Sequence, residues 1–362
     1  MRSPAGGSAI RRRWLDGLAR LAPLHGRVLV GGFPAPLPAL ATVEAAAGRL
    51  PRGKGSIFVL GQPGAVGACT AWIDACGGTG VEVSASAAGT EVPARGWVAL
   101  LGPPWIDAAI EGAVARGVKV AVATGRVGGE AIEPPPRGSW IDDAHAGDAR
   151  LGALGTASLV VAQAAGLDVG AALAGAAEVL TQANGPPGID NPAWSLARAL
   201  RILDSDLGRD SVVHVAGEGR LVALAAWAAR VQVGTLGALR RDGSGRALPG
   251  AVEAGDEEWL EALVHGPRSR VLVVWERENS PLEAVSRPWV ACAAEAGQVV
   301  LRVRLAGLEP GAVGAAMALW VRACACLALL EESEAVPLSA VGRLYDAMER
   351  TMLPVADEGG VD

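Results

Sequence analysis

Tyrosine and phenylalanine are scarce in this chain of 362 residues, which contains one tyrosine and two phenylalanines beside 11 tryptophans and 49 glycines. We interpret this bias as the mark of a high-GC coding sequence and not of a special architecture. An excess of basic residues is also absent, because the net charge at pH 7 is -6 and the pI is near 5.4. Nucleic-acid binding is therefore disfavoured, since no basic field is available to neutralise a phosphate backbone.

Cysteine and histidine patterns that would hold a metal are missing. The five cysteines show no CxxC spacing and stand in apolar contexts, so we expect reduced core residues of a cytoplasmic protein. They are Cys69, Cys76, Cys292, Cys324 and Cys326. The four histidines have no metal-ligand spacing with a cysteine or another histidine. With no Walker sequence, nucleotide fingerprint or nucleophile elbow either, neither a metal nor a cofactor is expected.

A signal peptide and a membrane span are also not expected. Asp16 and Arg20 interrupt the apolar residues near the N-terminus, where a signal peptide would have an unbroken apolar region. The longest apolar stretch, 311–330, has Arg322 in its middle and is rich in small residues. We therefore predict a buried helix there and no membrane partner.

Short apolar strands alternate with helices along both halves of the chain. The first half predicts strands over 56–60, 81–84, 97–101 and 118–123, with helices over 65–76 and 106–116. The second half repeats the pattern more weakly, with strands over 211–216, 270–275 and 298–304 and helices over 220–232 and 282–296, the latter interrupted near Pro288. This alternation predicts an α/β fold of two similar domains, each a parallel sheet flanked by helices.

The domain boundaries follow from turn residues. We predict an N-terminal extension over 1–54, in which 27–32 could add an edge strand, and a first domain over 55–188. A second domain over 189–352 ends in two apolar helices, and 353–362 is a frayed tail. The Gly-Pro-rich run 185–188 marks the boundary, and Asn191-Pro192 opens the next helix.

The sequence also predicts the structure of two further segments. The polar, proline-rich segment 125–152 is predicted to be a long loop that borders a site or an interface. The run 154–162 contains small and apolar residues apart from Thr156 and Ser158, so we predict a buried helix that joins the two domains.

Three runs of sequence resemble the phosphoglucose isomerase family, in particular its short bacterial form that is also found fused to transaldolase. They are GALGTASLVVAQAAGLDVGAALAGAAEVL at 152–180, NPAWSLARAL at 191–200 and EAVPLSAVGRLYDAMERTML at 334–353. The resemblance covers roughly residues 55 to 352. It implies two sugar-isomerase (SIS) domains, hexose 6-phosphate chemistry of glycolysis and gluconeogenesis, and a two-fold dimer.

The resemblance implies a phosphate-binding turn after the first strand. Gly61, Gly64 and Gly67 keep the family's glycines there, while Ala65 stands at or near its serine. Glycines let backbone N–H groups approach an anion at a helix N-terminus, although a purely structural tight turn is the alternative.

The family's main phosphate loop, rich in serine and threonine, corresponds to Gly102-Pro103-Pro104-Trp105. This loop offers no hydroxyl group, and its two prolines have no amide hydrogen, so it cannot hold phosphate in the family's way. Ser84, Ser86 and Thr90 lie one strand earlier and could substitute, or they form a solvated connection between strands.

The family's catalytic residues are only partly retained. Arg150 matches an arginine that would stabilise an enediolate oxygen, although a salt bridge to a nearby aspartate is the alternative. Gly234 stands at the place of the catalytic glutamate. Arg343 matches a late lysine, but a guanidinium group holds its proton too tightly to be a good proton carrier. His145, in the long loop, is the histidine that we place near the cleft, whereas His214 lies in a strand and is expected to be a hydrogen-bonded core residue.

Three functions are compatible with this pattern. The first is a catalytically degenerate protein that binds a hexose 6-phosphate or packs, as a homodimer or a heteromeric partner, on an active relative. The second is an active glucose-6-phosphate isomerase whose base has moved to His145, Glu218 or Glu276. The third is an assembly protein with no ligand, whose contacts would be exposed tryptophans such as Trp105, Trp140 and Trp194.

Overall fold

The computed structural model describes the larger part of the chain, and every structural statement below concerns that part. It comprises residues 37–48, 57–61, 63–85, 97–101, 119–124, 139–142, 152–185, 190–205, 211–236, 247–253, 270–280 and 283–330.

Several predictions from the sequence lie outside the described residues. These are the edge strand at 27–32, the loop 102–105, the helices at 106–116 and 338–352, the tail, and the site residues Ser86, Thr90, His145, Arg150 and Arg343.

The first half of the chain forms a five-stranded parallel sheet. Its strands are β1 (Ile57–Gly61), β2 (Val81–Ala85), β3 (Trp97–Leu101), β4 (Lys119–Thr124) and β5 (Ser139–Asp142). The spatial order is β2-β1-β3-β4-β5, and every neighbouring pair is parallel. The strands β1 to β4 agree with the sequence prediction. The prediction of an unbroken loop over 125–152 is wrong at β5, because a run of four residues pairs with β4 after three prolines.

The second half forms a four-stranded parallel sheet. Its strands are β6 (Ser211–Ala216), β7 (Ala247–Glu253), β8 (Arg270–Arg277) and β9 (Val299–Leu305), in the order β7-β6-β8-β9. The sequence did not indicate β7, because the run ALPGAVE contains a proline and a glycine that are unusual inside strands. An irregular register between β6 and β7 accommodates them.

The two sheets have the same topology. In each, the first strand lies inside the sheet, the second strand pairs on one side of it, and the third strand pairs on its other side. The predicted α/β fold with a repeated scheme is thereby confirmed. In open parallel sheets, the point where the strand order reverses is the usual place for a ligand, outside the carboxyl ends of the strands.

Helices cover the sheets and connect the two halves. They are α1 (Leu40–Ala47), α2 (Pro63–Cys76), α3 (Thr156–Ala164), α4 (Val169–Ala183), α5 (Pro192–Ser205), α6 (Val222–Leu236), α7 (Glu283–Glu295) and α8 (Pro310–Leu330). The buried helix predicted at 154–162 is α3, in which residues 156–162 are all buried. The predicted interruption of α7 is wrong, because this helix continues through Pro288.

One hydrophobic core contains residues of both halves. It includes the fully buried Trp72 of α2, Trp227 of α6, Trp275 of β8 and Trp320 of α8. A buried indole needs a partner for its N–H group. Trp72 donates to the carbonyl of Ala153 at 2.8 Å, and Trp320 donates to that of Ala228 at 2.8 Å. The core does not test the predicted domain boundary, which remains a prediction.

The helix α5 begins as the sequence predicts. The Asn191 side chain accepts hydrogen bonds from the backbone of Ala193 and Trp194, at 3.1 and 3.2 Å, which is the geometry of an N-cap. Its amide group donates to the carbonyls of Ala183 and Gly185. This one buried side chain therefore ties the end of α4 to the start of α5.

The helix α8 is the described helix that is long and apolar enough to cross a membrane, by length and composition alone. Of the window Pro310–Leu327, 67% is buried in the fold, which is typical of a core helix. Burial lowers the pKa of Arg322, whose guanidinium lies 3.4 Å from the carbonyl oxygen of Ala183. The buried helix predicted for this stretch is confirmed.

The cysteines agree with the prediction in all but one case. All five are free thiols, and Cys69, Cys324 and Cys326 are buried. Burial raises the pKa of the Cys69 thiol to about 12, so this group remains protonated at neutral pH. Cys292, however, is exposed, so its assignment to the core is wrong. It lies on α7, one face of which is solvated.

Candidate functional site

The first candidate site lies at the switch point of the first sheet. The strand β1 ends at Gly61, and α2 begins at Pro63, so the N-terminus of α2 lies at the carboxyl edge of this sheet. Helix N-termini attract anions, because their first N–H groups have no partner within the helix. This is the turn that the sequence predicts for phosphate. Gly64 and Gly67 belong to the helix itself, near its start.

Helix α6 of the second half packs antiparallel on α2. At one end, Arg220 donates to the carbonyls of Asp74 and Ala75 near the end of α2. At the other end, the guanidinium of Arg230 lies so close to Gly67 that a Cβ atom there would stand 2.6 Å from Nη1. A glycine at position 67 therefore provides the space in which Arg230 lies against the start of α2.

This packing also locates Gly234. It is in the last turn of α6, one turn beyond Arg230, so the antiparallel arrangement brings its backbone beside the start of α2. The position that the sequence resemblance aligns with the family's catalytic glutamate therefore lies in the part of α6 nearest the predicted phosphate turn. Glycine offers no group that could move a proton.

The remaining predicted site residues are less informative. Ser84 lies in β2, which pairs with β1 on the side away from β3, and Gly61 is the last residue of β1. Arg150, His145, Arg343, Ser86 and Thr90 lie outside the described part of the chain. Whether any of them joins the first site stays a prediction.

A second group of polar residues lies at the carboxyl edge of the second sheet, on either side of its switch point. Glu218 follows β6, and its Oε2 is 3.4 Å from Nη2 of Arg277 at the end of β8. The same Nη2 donates to Oγ of Ser280 at 3.4 Å. The side chain of Glu218 is only 6% exposed, whereas that of Arg277 is 33% exposed, so the pair lies just below the surface.

Glu276 belongs to a separate ion-pair cluster on the opposite face of β8. Its Oε2 accepts from Arg302 at 2.6 Å and its Oε1 accepts from Arg304 at 2.7 Å, both on the neighbouring strand β9. Both carboxylate oxygens are therefore occupied. A carboxylate held between two guanidinium groups is a structural anchor and a poor base.

His214 is the hydrogen-bonded core residue that the sequence predicts. The indole N–H of Trp275 donates to its Nδ1 at 3.0 Å, so the other ring nitrogen, Nε2, carries the proton and donates to Oε1 of Gln232 at 3.1 Å. Complete burial lowers the pKa of His214 to about 4, although the bond to Gln232 acts in the opposite direction. This histidine is neutral at pH 7 and is completely buried within the second sheet.

The two carboxyl edges are far apart. Glu218 precedes the first turn of α6 and Gly234 lies in its last turn, and 16 residues of helix span roughly 24 Å at the usual rise. The carboxylates at the edge of the second sheet therefore cannot reach a substrate at the start of α2.

Sequence reasoning missed Arg230 and the ion pairs. Arg230 could have been found, because it lies four residues before Gly234, one helical turn away on the same face. The pairing of Glu218 with Arg277 had no signal in sequence, since 59 residues separate them.

Among the described residues, no group of three or more His, Cys, Asp or Glu side chains could hold a metal ion. Trp194, suggested above as an exposed contact, is wrong in that role because it is fully buried.

Comparison with known proteins gives one sequence match and several shared folds. No family model matches the chain. The chain is 32% identical to a glucose-6-phosphate isomerase of Rubrobacter xylanophilus over 133 residues, which are 36% of this chain and 30% of that protein. The match thus spans less than a third of the curated relative.

The solved structures agree over much longer stretches. A hypothetical protein of Thermus thermophilus has a TM-score of 0.70 at 19% identity, over 94% of this chain and 99% of that one. A glucose-6-phosphate isomerase of Chlamydia trachomatis has a TM-score of 0.66 at 13% identity, over 97% of this chain and 75% of that one. The C-terminal domain of glucosamine-fructose-6-phosphate aminotransferase of Francisella tularensis gives 0.52 at 10% identity, over 89% of this chain and 97% of that one.

These structures share the fold of two SIS-type parallel sheets that is described above. At such identities they establish the fold alone, whereas the match to the Rubrobacter protein is a similarity of sequence. The chain is thus similar in sequence, over one segment, to a glucose-6-phosphate isomerase, and it shares its fold with another.

Proposed function

We propose that this protein binds a hexose 6-phosphate at the start of α2 in the cytoplasm and does not isomerise it. The observation that carries the proposal is Gly234 in the last turn of α6, beside the predicted phosphate turn. Aldose-ketose isomerisation needs a base that moves a proton between C1 and C2 through an enediol. Helix α6 brings no carboxylate to that position, since no Asp or Glu stands between Glu218 and Asp242.

Two features support retained binding of an anion. The start of α2 offers free backbone N–H groups at the carboxyl edge of the first sheet, at its switch point. Arg230 adds a guanidinium group one turn along the helix, against Gly67. A phosphate would be attracted by both, even though the loop 102–105 lacks the hydroxyl groups of the family's main phosphate loop.

A relocated base is the weaker alternative. Of the two described candidates, Glu276 is held by two arginines and Glu218 is paired with Arg277. Both belong to the second sheet's edge, roughly 24 Å of helix away from the start of α2. Proton transfer requires hydrogen-bond distance, so neither carboxylate suits a substrate held there.

The purified protein is expected to bind glucose 6-phosphate in a calorimetric titration and to show no appreciable conversion to fructose 6-phosphate in a coupled assay. Loss of a positioned base removes ~10²- to 10⁴-fold in rate. An authentic glucose-6-phosphate isomerase in the same assay is the positive control. Turnover near the ~10 s⁻¹ typical of enzymes would contradict the degenerate function. Absence of both binding and turnover would favour the assembly protein.

Restoring a carboxylate by Gly234→Glu is expected to leave the isomerase activity at background. The loop 102–105 still lacks hydroxyl groups, so the substrate's phosphate cannot supply the binding energy that aligns its reacting carbons. The coupled assay, with circular dichroism to verify folding, measures this. Robust turnover by the single variant would show that the phosphate is already held well elsewhere, with 84–90 the first segment to test.

A further inference from the structure

The ion pair between Glu218 and Arg277, at the edge of the second sheet, leaves one polar atom of each residue without a hydrogen bond in the described structure. Glu218 uses Oε2 to bind Arg277, while its Oε1 is buried and has no hydrogen-bond partner among the described residues. The Nε atom of Arg277 is likewise buried without a partner in the described structure. Leaving buried charged atoms unmatched is costly, and a bound molecule commonly supplies the missing bonds.

The contrast with Glu276 shows that this incompleteness is local. Glu276 lies one residue before Arg277 and is 3% exposed as a residue, yet both of its oxygens have arginine partners at 2.6 and 2.7 Å. The fold can therefore satisfy a buried carboxylate at this edge completely. At Glu218, in contrast, the described structure leaves Oε1 without a donor, and it leaves Nε of Arg277 without an acceptor.

The pair occupies the place in the second sheet that the phosphate turn occupies in the first. In both sheets the strand that comes first in the chain is followed by a short connection and then by a helix, α2 after β1 and α6 after β6. Glu218 belongs to that connection in the second sheet. The pair also spans the switch point, because β6 and β8 lie on either side of it and diverge in their connections.

The chemistry of the pair differs from that of the first sheet. A carboxylate in the connection repels phosphate, and the Glu218–Arg277 pair has no net charge. A hydroxyl group, in contrast, is a donor and an acceptor at once. One hydroxyl could donate to Oε1 of Glu218 and accept from Nε of Arg277, or two adjacent hydroxyls could make one bond each.

We propose that the carboxyl edge of the second sheet is a second ligand site, in which Glu218 and Arg277 bind adjacent hydroxyl groups of an uncharged sugar or polyol. One third of the Arg277 side chain is exposed, so the pair is accessible from solvent. Ser280 also fixes the guanidinium, because it accepts from the same Nη2 that binds Glu218. This site is independent of the hexose 6-phosphate site at the start of α2.

The test uses saturation-transfer NMR on the full chain with D-glucose, D-sorbitol and inorganic phosphate as probes. The wild-type protein is expected to transfer saturation to glucose or sorbitol, and phosphate should not compete. Glu218→Gln is expected to weaken that binding at least about tenfold, as for the loss of a hydrogen bond to a charged group. In the Glu218→Gln variant, the amide oxygen would stay opposite Nη2 of Arg277, because that nitrogen needs an acceptor. The new amide nitrogen would then take the place of Oε1 and would offer a donor where the wild type has an acceptor.

Two more variants keep the test decisive. Arg277→Lys retains the charge pair but removes the Nε donor, so it should also weaken binding, and it serves if Glu218→Gln does not fold. Glu278→Gln removes a charge from the same turn at an exposed residue and should bind like wild type. Equal binding by wild type and both site variants would overturn the proposal.

Other outcomes would overturn it as well. No saturation transfer to either probe in the wild-type protein means that ordered water alone fills the site, since water can make the same two bonds. Displacement of the sugar by inorganic phosphate means an anion site. Because the readout depends on Glu218, roughly 24 Å from the start of α2, it is independent of whether hexose 6-phosphate binds there.

Discussion

Replacing Gly175 by alanine is expected to destabilise the protein by about 3 kcal/mol or more, near the upper end of overpacking effects. Gly175 lies in the middle of α4, where a Cβ atom would overlap the carbonyl oxygen and carbon of Gly311 at the start of α8. Both colliding groups are backbone, so no rotamer change relieves the contact. The two helices would have to move apart, although both contribute buried residues to the core.

The change should appear in urea unfolding monitored by circular dichroism, as a lower midpoint than that of wild type. Gly170→Ala is the matched control in the same helix, because its Cβ would meet only side-chain atoms, Oδ1 of Asp168 at 3.3 Å and Cδ2 of Leu40 at 3.5 Å. Alanine is the better helix former by ~1 kcal/mol, so this control should be neutral or more stable. Equal midpoints for both variants would mean that α4 and α8 are not in close contact.

The parallel contact between α4 and α8 also explains a run of small residues that the sequence could not interpret. Gly311 and Gly314 at the start of α8 approach Ala171 and Ala172 of α4. Further along, Arg322 of α8 reaches the carbonyl of Ala183 at the end of α4. In sequence, the apolar stretch 311–330 predicts burial but not the partner, because small residues fit many neighbours equally well.

The parts of the fold that the sequence predicts are those with a local cause. Alternating apolar strands and helices give both sheets, and Asn191-Pro192 gives the start of α5, because propensity and capping act within a few residues. Of the two missed strands, β5 has only four residues and follows three prolines, and β7 contains a proline and a glycine. Their pairing with a neighbouring strand, which no local pattern encodes, outweighs their weak propensity.

The candidate site, too, has a part that the sequence predicts and a part that only the packing of the helices reveals. Gly61 and Gly234 are aligned by resemblance in sequence, and the structure brings their segments together through the packing of α2 on α6. Gly67 has a packing role that the sequence did not predict, since its missing side chain makes room for Arg230. A contact between helices that are roughly 160 residues apart in the chain is invisible to spacing arguments, which see only a glycine-rich turn.

Helix α6 extends between the two proposed sites. Its last turn carries Gly234 to the first sheet, and its first turn follows Glu218 at the second sheet. The same helix thus brings no carboxylate to the proposed hexose 6-phosphate site, and a buried carboxylate, Glu218, precedes its opposite end. This separation makes the two proposed sites testable independently.

The stability of the protein is expected to fall by about 3 kcal/mol through His214 alone as the pH decreases from 6.5 to 4. Its pKa is 6.5 in the unfolded chain and about 4 in the folded protein. Above pH 6.5 the imidazole is neutral in both states, and its buried bonds with Trp275 and Gln232 contribute fully. Between 6.5 and 4 the unfolded chain binds a proton that the folded protein does not, so acid favours unfolding.

Carboxylates also titrate in this range, so the contribution of His214 has to be isolated by difference. His214→Asn removes the titrating ring and keeps an oxygen near the indole N–H of Trp275, which needs an acceptor because it is fully buried. The variant should be less stable at pH 7, since Gln232 loses its donor. Urea unfolding of both proteins at several pH values should show the advantage of the wild type shrinking by about 3 kcal/mol from pH 7 to pH 4. Parallel pH profiles would mean that the pKa of His214 is not lowered in the folded protein, and that burial beside Trp275 does not disfavour its charged form.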